Sequence, residues 1–337
     1  MKFIKLFLIL SQLLNASSFL IKQPSLINHN LKMDSSNSVT KLYSKQFFSK
    51  SKNYLKLIRC SNIIPTFALS FSGGFIMNKS LYKLLNSSTF IISVINTILI
   101  MSSSMIINDI IDLNIDKTNN PDRPLANGSI TLHEARIAVL LLLSITEFLT
   151  LIFLPEQLQY MVNLAILNIT FYTSFLKKIP LIKNLSCAFL VSFASIFSGI
   201  ASVENIFINK NFHLLLITSY LTFIGSLCNE ILLDISDIRG DRLNNIHTIP
   251  VLFGRNFSLS FVNFILRTNI FFFTIFISNL YNLQTGLPLL IILYPLVNNL
   301  KNIRKYNYSH NIIRKEVKKT NTPLFMSLLY LILLSFF

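Results

Sequence analysis

Acidic residues are scarce in this 337-residue chain, with fourteen Asp and Glu against thirty Lys and Arg, and charged residues make up only 13% of it. A hydrophobic fraction of 52% and a mean hydropathy of +0.57 are outside the range of a soluble domain and inside that of a polytopic membrane protein. Cysteine is scarcer still. Cys60, Cys187 and Cys228 are odd in number and carry no Cys-x-x-Cys spacing, which argues against a disulfide framework or a zinc site and leaves them as small buried hydrophobes.

What is present is a series of apolar runs, each about 18 to 25 residues long. They predict an all-α membrane bundle of about nine transmembrane helices, near 61–78, 89–113, 132–153, 157–176, 184–203, 212–235, 257–280, 285–300 and 320–337. Loop charge tests that count, because Lys and Arg collect on one side of a membrane. The loops after even-numbered helices hold fifteen basic residues, and those after odd-numbered helices hold three: Lys79, Lys83 and Lys210. The net charge of +16 does not signal a nucleic-acid partner, since ten of the thirty basic residues lie in the first 60 positions beside one acid, Asp34. Most of that excess reads as targeting and topology.

The N-terminus carries the targeting signal. Residues 1–16 place Lys2 and Lys5 ahead of the apolar run Leu6–Leu14 and a small-residue site, which reads as a signal peptide; the run is too short for a tenth membrane helix. Residues 17–56, rich in Ser, Asn and Lys, have the composition of a transit-type presequence without fixed structure, leaving 57–337 as the transmembrane domain. Together they resemble the bipartite presequences of plastids acquired by secondary endosymbiosis, with Ala16-Ser17-Ser18-Phe19 similar to the Ala-Ser-x-Phe cleavage motif. The expected location is a complex-plastid membrane. A mitochondrial presequence, and with it the mitochondrial inner membrane, is the competing reading, although its Arg richness is missing.

Four acids fall between Asn108 and Asp122 and four between Glu230 and Asp241, so two short stretches hold more than half of the chain's total. Both end on the basic side. Asp109, Asp112 and Asp116 share the offsets i, i+3 and i+7 with Asp234, Asp237 and Asp241. On a helix each set forms a column about 10 Å tall on one face. A carboxylate near the hydrocarbon region is disfavoured by roughly 2.5 kcal/mol or more, and six together repel unless a cation lies between them. Mg²⁺ suits such a place, because it binds through a few carboxylates plus substrate phosphates. A solvated helix end explains one column more readily than two in matching register.

The first stretch, Asn108-Asp109-Ile110-Ile111-Asp112-Leu113-Asn114-Ile115-Asp116, runs on through Arg123-Pro124 to Gly128; the second joins Asp234, Asp237, Gly240 and Asp241 to Thr248, Pro250 and Gly254. These resemble the two signatures of UbiA-type intramembrane prenyltransferases. Arg59 and Asn62 are similar to the family's R-x-x-N element, with Cys60 where Pro is usual, and Tyr172 with Leu176-Lys177-Lys178 to its Y-x-x-x-L-K element. The resemblance covers roughly residues 55–300. It implies a helical bundle around a central cavity, with both motifs on one face, and transfer of a geranylgeranyl, phytyl or longer group from a prenyl diphosphate.

Under that resemblance Asp109, Asp112, Asp116, Asp234, Asp237 and Asp241 hold Mg²⁺, with Asp112, Asp237 and Lys177 the residues expected to be catalytic. Asn108, Lys117, Arg123, Tyr172, Lys177 and Arg242 meet the diphosphate; Arg59, Asn62, Asn229 and Glu230 make contacts with substrate or around it. Lys178 fits a topological role equally. Thirty Phe and eleven Tyr suggest π-rich walls for an allylic cation, and no residue stands out as the base for the last proton.

The compact interval Asp116-Lys117-Thr118-Asn119-Asn120-Pro121 is similar to that of homogentisate prenyltransferases, chlorophyll synthases and archaeal ether-lipid members. With the presequence it points to homogentisate in plastid prenylquinone or tocopherol synthesis. Esterification of chlorophyllide, a tetrapyrrole acceptor, is one alternative, favoured by Asn108-Asp109; mitochondrial 4-hydroxybenzoate prenylation is another. Arg239-Gly240 stands where Glu-Gly is commoner. From outside the enzymes, a secondary transporter also places carboxylates in helices; columns more than about 15 Å apart would favour it, because one Mg²⁺ and one diphosphate cannot bridge that gap. The D-G-x-x-A-R motif of CDP-alcohol phosphotransferases is absent. Arg267 and Glu147 are isolated charges inside apolar runs, readable as functional or as snorkelling and structural contacts.

Overall fold

A computed structural model describes residues 49–174, 179–206 and 209–337. The signal segment and most of the transit-type segment lie outside these residues, as do Lys177 and Lys178 and the side chain of Tyr172. Residues 49–57 are helical, Lys50 pairs with Glu134 and Leu57 is fully buried, so the packed chain begins ahead of the expected boundary at 57.

Four of the helices begin where a side chain takes up their unpaired N–H groups. After the single 3₁₀ turn Cys60–Asn62, α1 spans Ile63–Asn78 and stops at Lys79 in the left-handed region, φ 57°. Ser80 caps the short α2 (Leu81–Asn86), and Ser87 caps α3 (Ser88–Ile111). Then come α4 (Leu113–Asn119), α5 (Leu132–Phe153) behind the Thr131–Glu134 capping box, α6 (Glu156–Ser174) and α7 (Ile182–Ala201). The second half holds α8 (Phe212–Leu243), α9 (Ile249–Leu280), α10 (Leu283–Lys305), which opens on an Asn282–Thr285 capping box, and α11 (His310–Leu334).

The all-α expectation holds. Among the described residues seven helices are long and apolar enough to cross a membrane, against the nine expected. The other two form but are too polar: α6 carries Glu156, Gln157, Gln159, Asn163 and Asn168, and the first half of α11 carries Arg314, Lys315, Glu316, Lys318 and Lys319. Gly254, at φ 84° and ψ 163°, interrupts α9, so its membrane part starts close to the expected 257.

Two large apolar cores form, one among α3, α5, α6 and α7 and one among α8 to α11 with parts of α1 and α7, beside a small cluster of Leu84, Phe90 and Val94. The α1–α7 contact lies between the two large cores. A Cβ on Gly73 would sit 2.0 Å from the Ser195 carbonyl oxygen, so these helices touch backbone to backbone. The phenylalanines sit largely elsewhere than the sequence suggested: Phe148, Phe171, Phe264, Phe271, Phe272 and Phe276 are exposed on the outside, where lipid rather than a ligand meets them.

Candidate active site

The two acidic stretches are built differently although their spacing is identical. On α8 the second column is one continuous helical face. In the first, Asp109 ends α3, Asp112 leaves the helical region with ψ 6°, and Asp116 belongs to α4. The break is a kink, since Asp112 N–H still donates to Asn108 O at 2.9 Å and Asp116 N–H to Asp112 O at 2.7 Å. The expected straight column is therefore bent at its middle carboxylate.

Both stretches face one cavity of about 170 Å³ near the basic ends of α3 and α8. Arg314 of α11 joins them: its Nη2 donates to Asn120 Oδ1 at 2.9 Å and to Asp237 Oδ1 at 3.4 Å. One guanidinium spanning both motifs excludes the separation of more than about 15 Å that would have favoured a transporter. Gly240 brings them closer still, for a Cβ there would lie 2.1 Å from Asn119 Oδ1. We expect Gly240→Ala to cut the rate roughly 10²-fold by displacing the first motif, and a further Asn119→Ala to restore part of it; initial rates in membranes check both.

Asp112, Asp116, Glu230, Asp234, Asp237 and Asp241 line the cavity with Arg59, Arg123 and Lys183, so acids outnumber cations six to three among the described lining residues. The cations are already engaged. Arg59, itself left-handed at φ 50°, donates to Asp109 at 3.0 Å; Arg123 donates to Asp109 at 3.1 Å and also pairs with Asp116. Lys183 Nζ lies 2.5 Å from Asp234 Oδ1, while Asn184 donates to its other oxygen at 2.8 Å. Asp237 accepts from Ser236 Oγ at 2.8 Å with His310 Nδ1 at 3.6 Å, and Asp241 accepts from Thr248 at 3.3 Å. Burial pushes the Asp116 carboxyl above the usual carboxylate range, and Arg123 beside it pulls the other way.

Among the described residues no three Asp, Glu, His or Cys side chains converge closely enough to hold a metal ion by themselves. Mg²⁺ asks for less, one or two carboxylates with water and substrate phosphate completing the octahedron. The donors here suit it. They are hard oxygens on two facing walls, and Asn108 Oδ1 is buried in the lining without a hydrogen-bond partner.

Several residues expected at the site stand apart from this lining. Lys117 and Arg242 are exposed, and Arg242 borders a different groove with Asn256 and Tyr308. Asn62 lies behind Met105, its Nδ2 3.9 Å from the sulfur, and Asn229 turns away to accept from Thr320 at 3.1 Å. Asp109 sits beneath the two arginines, outside the lining. No aromatic ring lines the cavity among the described residues; its apolar side chains include Met105, Ile115, Ile169, Cys187, Leu190 and Leu233, which corrects the π-rich wall. Lys183, Asn184, Asn120 and Arg314 were missed as site residues. Lys183 and Arg314 were visible only as loop charge, and nothing in the sequence ties them to Asp234 and Asp237.

Fold and site together define an integral-membrane enzyme with a charged chamber at one face of a helical bundle. Residues 67–329 match the UbiA prenyltransferase family, and the chain belongs to it as a membrane-integral prenyltransferase. The digeranylgeranylglyceryl phosphate synthase of Sulfurisphaera tokodaii is 31% identical over 207 residues, 60% of this chain and 70% of that protein. That of Methanococcus maripaludis is 33% identical over 203 residues, 60% and 69% of the two chains. A solved digeranylgeranylglyceryl phosphate synthase superposes with TM-score 0.62 at 24% identity, covering 85% of this chain and 98% of that one. A UbiA homolog from Archaeoglobus fulgidus bound to GPP and Mg²⁺ gives 0.62 at 15% identity over 83% and 98%. At these identities the structures share the fold. Both of these sequence relatives are archaeal synthases, so they do not support the narrowing to a plastid branch. The transporter alternative falls with the family.

Proposed function

We propose that this chain transfers a polyprenyl group from a prenyl diphosphate, with Mg²⁺ as cofactor, to an acceptor dissolved in the bilayer. The observation that carries the reading is the meeting of both acidic motifs on one cavity, where six acids face three cations among the described lining residues. Asp112, Asp116 and Asn108 on one wall, and Asp237 and Asp241 on the other, would hold the metal. Bound Mg²⁺ supplies the positive charge that stabilises a departing diphosphate. Asp109 and Asp234 would have another task, fixing Arg59, Arg123 and Lys183 in the lining, where those cations would meet phosphate oxygens. The aliphatic lining keeps water from the reacting carbon.

Likeness to digeranylgeranylglyceryl phosphate synthases supports an acceptor of the geranylgeranylglyceryl phosphate class. Homogentisate is the second reading, compatible with the Asp116–Pro121 interval and favoured by the presequence; the plastid location rests on residues 1–56 alone. The test supplies membranes containing the protein with labelled geranylgeranyl or phytyl diphosphate. Geranylgeranylglyceryl phosphate, homogentisate, chlorophyllide and 4-hydroxybenzoate are offered separately. One acceptor should take the label, EDTA should stop it and added Mg²⁺ restore it. Label in none of them would sink the reading, and transfer indifferent to EDTA would remove the metal.

A further inference from the structure

Arg267 stands where a charge is disfavoured. It lies halfway along α9, exposed on the outside of the bundle with Phe264, Phe271 and Phe272 exposed beside it in the chain. Its side chain leans toward the start of the helix, as Cα–Cβ bonds in α-helices do, and Nε donates to Asn263 Oδ1 at 3.0 Å. Because α9 begins at the basic face, that lean carries the guanidinium toward it.

The antiparallel α10 packs beside α9. Counting equal steps from the turn at Tyr281–Asn282, at about 1.5 Å per residue, Asn263 lies level with a point near residue 300 of α10. Lys301 is there. It shares one face of α10 with Tyr294 and Asn298, at offsets i, i+4 and i+7, and all three are exposed. These side chains and Arg267 line a groove of about 380 Å³, walled by Phe271 and Leu290, with no acid among its described lining residues. The groove shares no residue with the catalytic cavity.

Two cations, a phenol and an amide in an apolar groove that opens to the membrane at its basic face complement one class of ligand. We propose that the α9–α10 groove binds an acidic phospholipid, its phosphate between Arg267 and Lys301 and its acyl chains along Phe271 and Leu290. A basic pocket between transmembrane helices recognises an anionic head group by charge, and the apolar walls add burial of the chains.

The full chain, extracted into neutral detergent, is incubated with phosphatidylglycerol or phosphatidylcholine, and bound lipid is counted by native mass spectrometry. Wild-type protein should retain phosphatidylglycerol on the order of tenfold better than phosphatidylcholine. The Arg267→Gln/Lys301→Gln variant should lose that preference, while Arg267→Lys/Lys301→Arg keeps it. Both Gln positions are exposed, and an unchanged melting temperature in neutral detergent checks the fold. Lys315→Gln/Lys318→Gln, which removes two exposed lysines on the same face, should retain the lipid like wild type. Equal retention of the two lipids overturns the proposal and leaves Arg267 a snorkelling charge. So does an undiminished preference in the Gln variant, or an equal loss in the lysine control, which would mean diffuse surface charge.

Discussion

Asp112→Asn or Asp237→Asn will abolish Mg²⁺-dependent prenyl transfer while the protein stays folded in the membrane. Each substitution keeps the side chain's shape and removes one negative charge from a wall of the cavity. Asp237 is only partly buried and keeps hydrogen-bonding partners in Ser236 and Arg314 as an amide, so the local fold survives. The lost step is electrostatic: a diphosphate departs only when its charge is neutralised, and removing one such contact costs at least on the order of 10²-fold in kcat. Asp109→Asn should behave differently. From beneath the lining its carboxylate holds Arg59 and Arg123, so that variant loses stability along with rate, while its Mg²⁺ requirement stays near wild type. Initial rates across a Mg²⁺ titration, with folded fraction measured by size exclusion, separate the two. Near wild-type rates in both Asp112→Asn and Asp237→Asn would remove the metal assignment.

The fold was legible because a bilayer demands about 20 apolar residues per crossing, and each expected run became a helix. Hydropathy does not see where helices continue into water. α8 runs eight residues past its apolar stretch to Leu243, and those residues carry Asp237 and Asp241 of the acidic column; α11 starts at His310, ten residues ahead of its apolar part. Equal spacing also concealed unequal geometry. The motifs read alike as i, i+3, i+7, yet Asp112 kinks one of them, since local spacing says nothing about ψ.

The site was half legible. Carboxylates in an apolar context announce themselves by their cost, and both sets were found on one cavity. Their cation partners carry no such mark: Lys183 lies 51 residues from Asp234 and Arg314 lies 77 from Asp237, pairings that only tertiary packing creates. Phenylalanine misled for a related reason. In a membrane protein its abundance reports lipid contact before it reports ligand contact.

Lys183→Met will destabilise the protein and silence it, and a second substitution will separate the two effects. The Lys183 side chain is 18% exposed and that of Asp234 5%, so the pair is largely out of water. Removing one member of a buried pair costs about 3–5 kcal/mol, because the other charge is left uncompensated; Asn184 alone, a neutral donor, does not replace an ammonium. The melting temperature in detergent should fall by several degrees. Adding Asp234→Asn removes the stranded charge, so the double variant should regain much of that loss, the non-additivity expected of residues in contact. Activity should not return with it, because Lys183 also lines the cavity and contributes positive charge where a diphosphate would sit. Stability recovered without turnover therefore assigns Lys183 both duties. A single variant that melts like wild type would instead mean that Lys183 is not paired with Asp234 in the resting protein, leaving its role to the ligand alone.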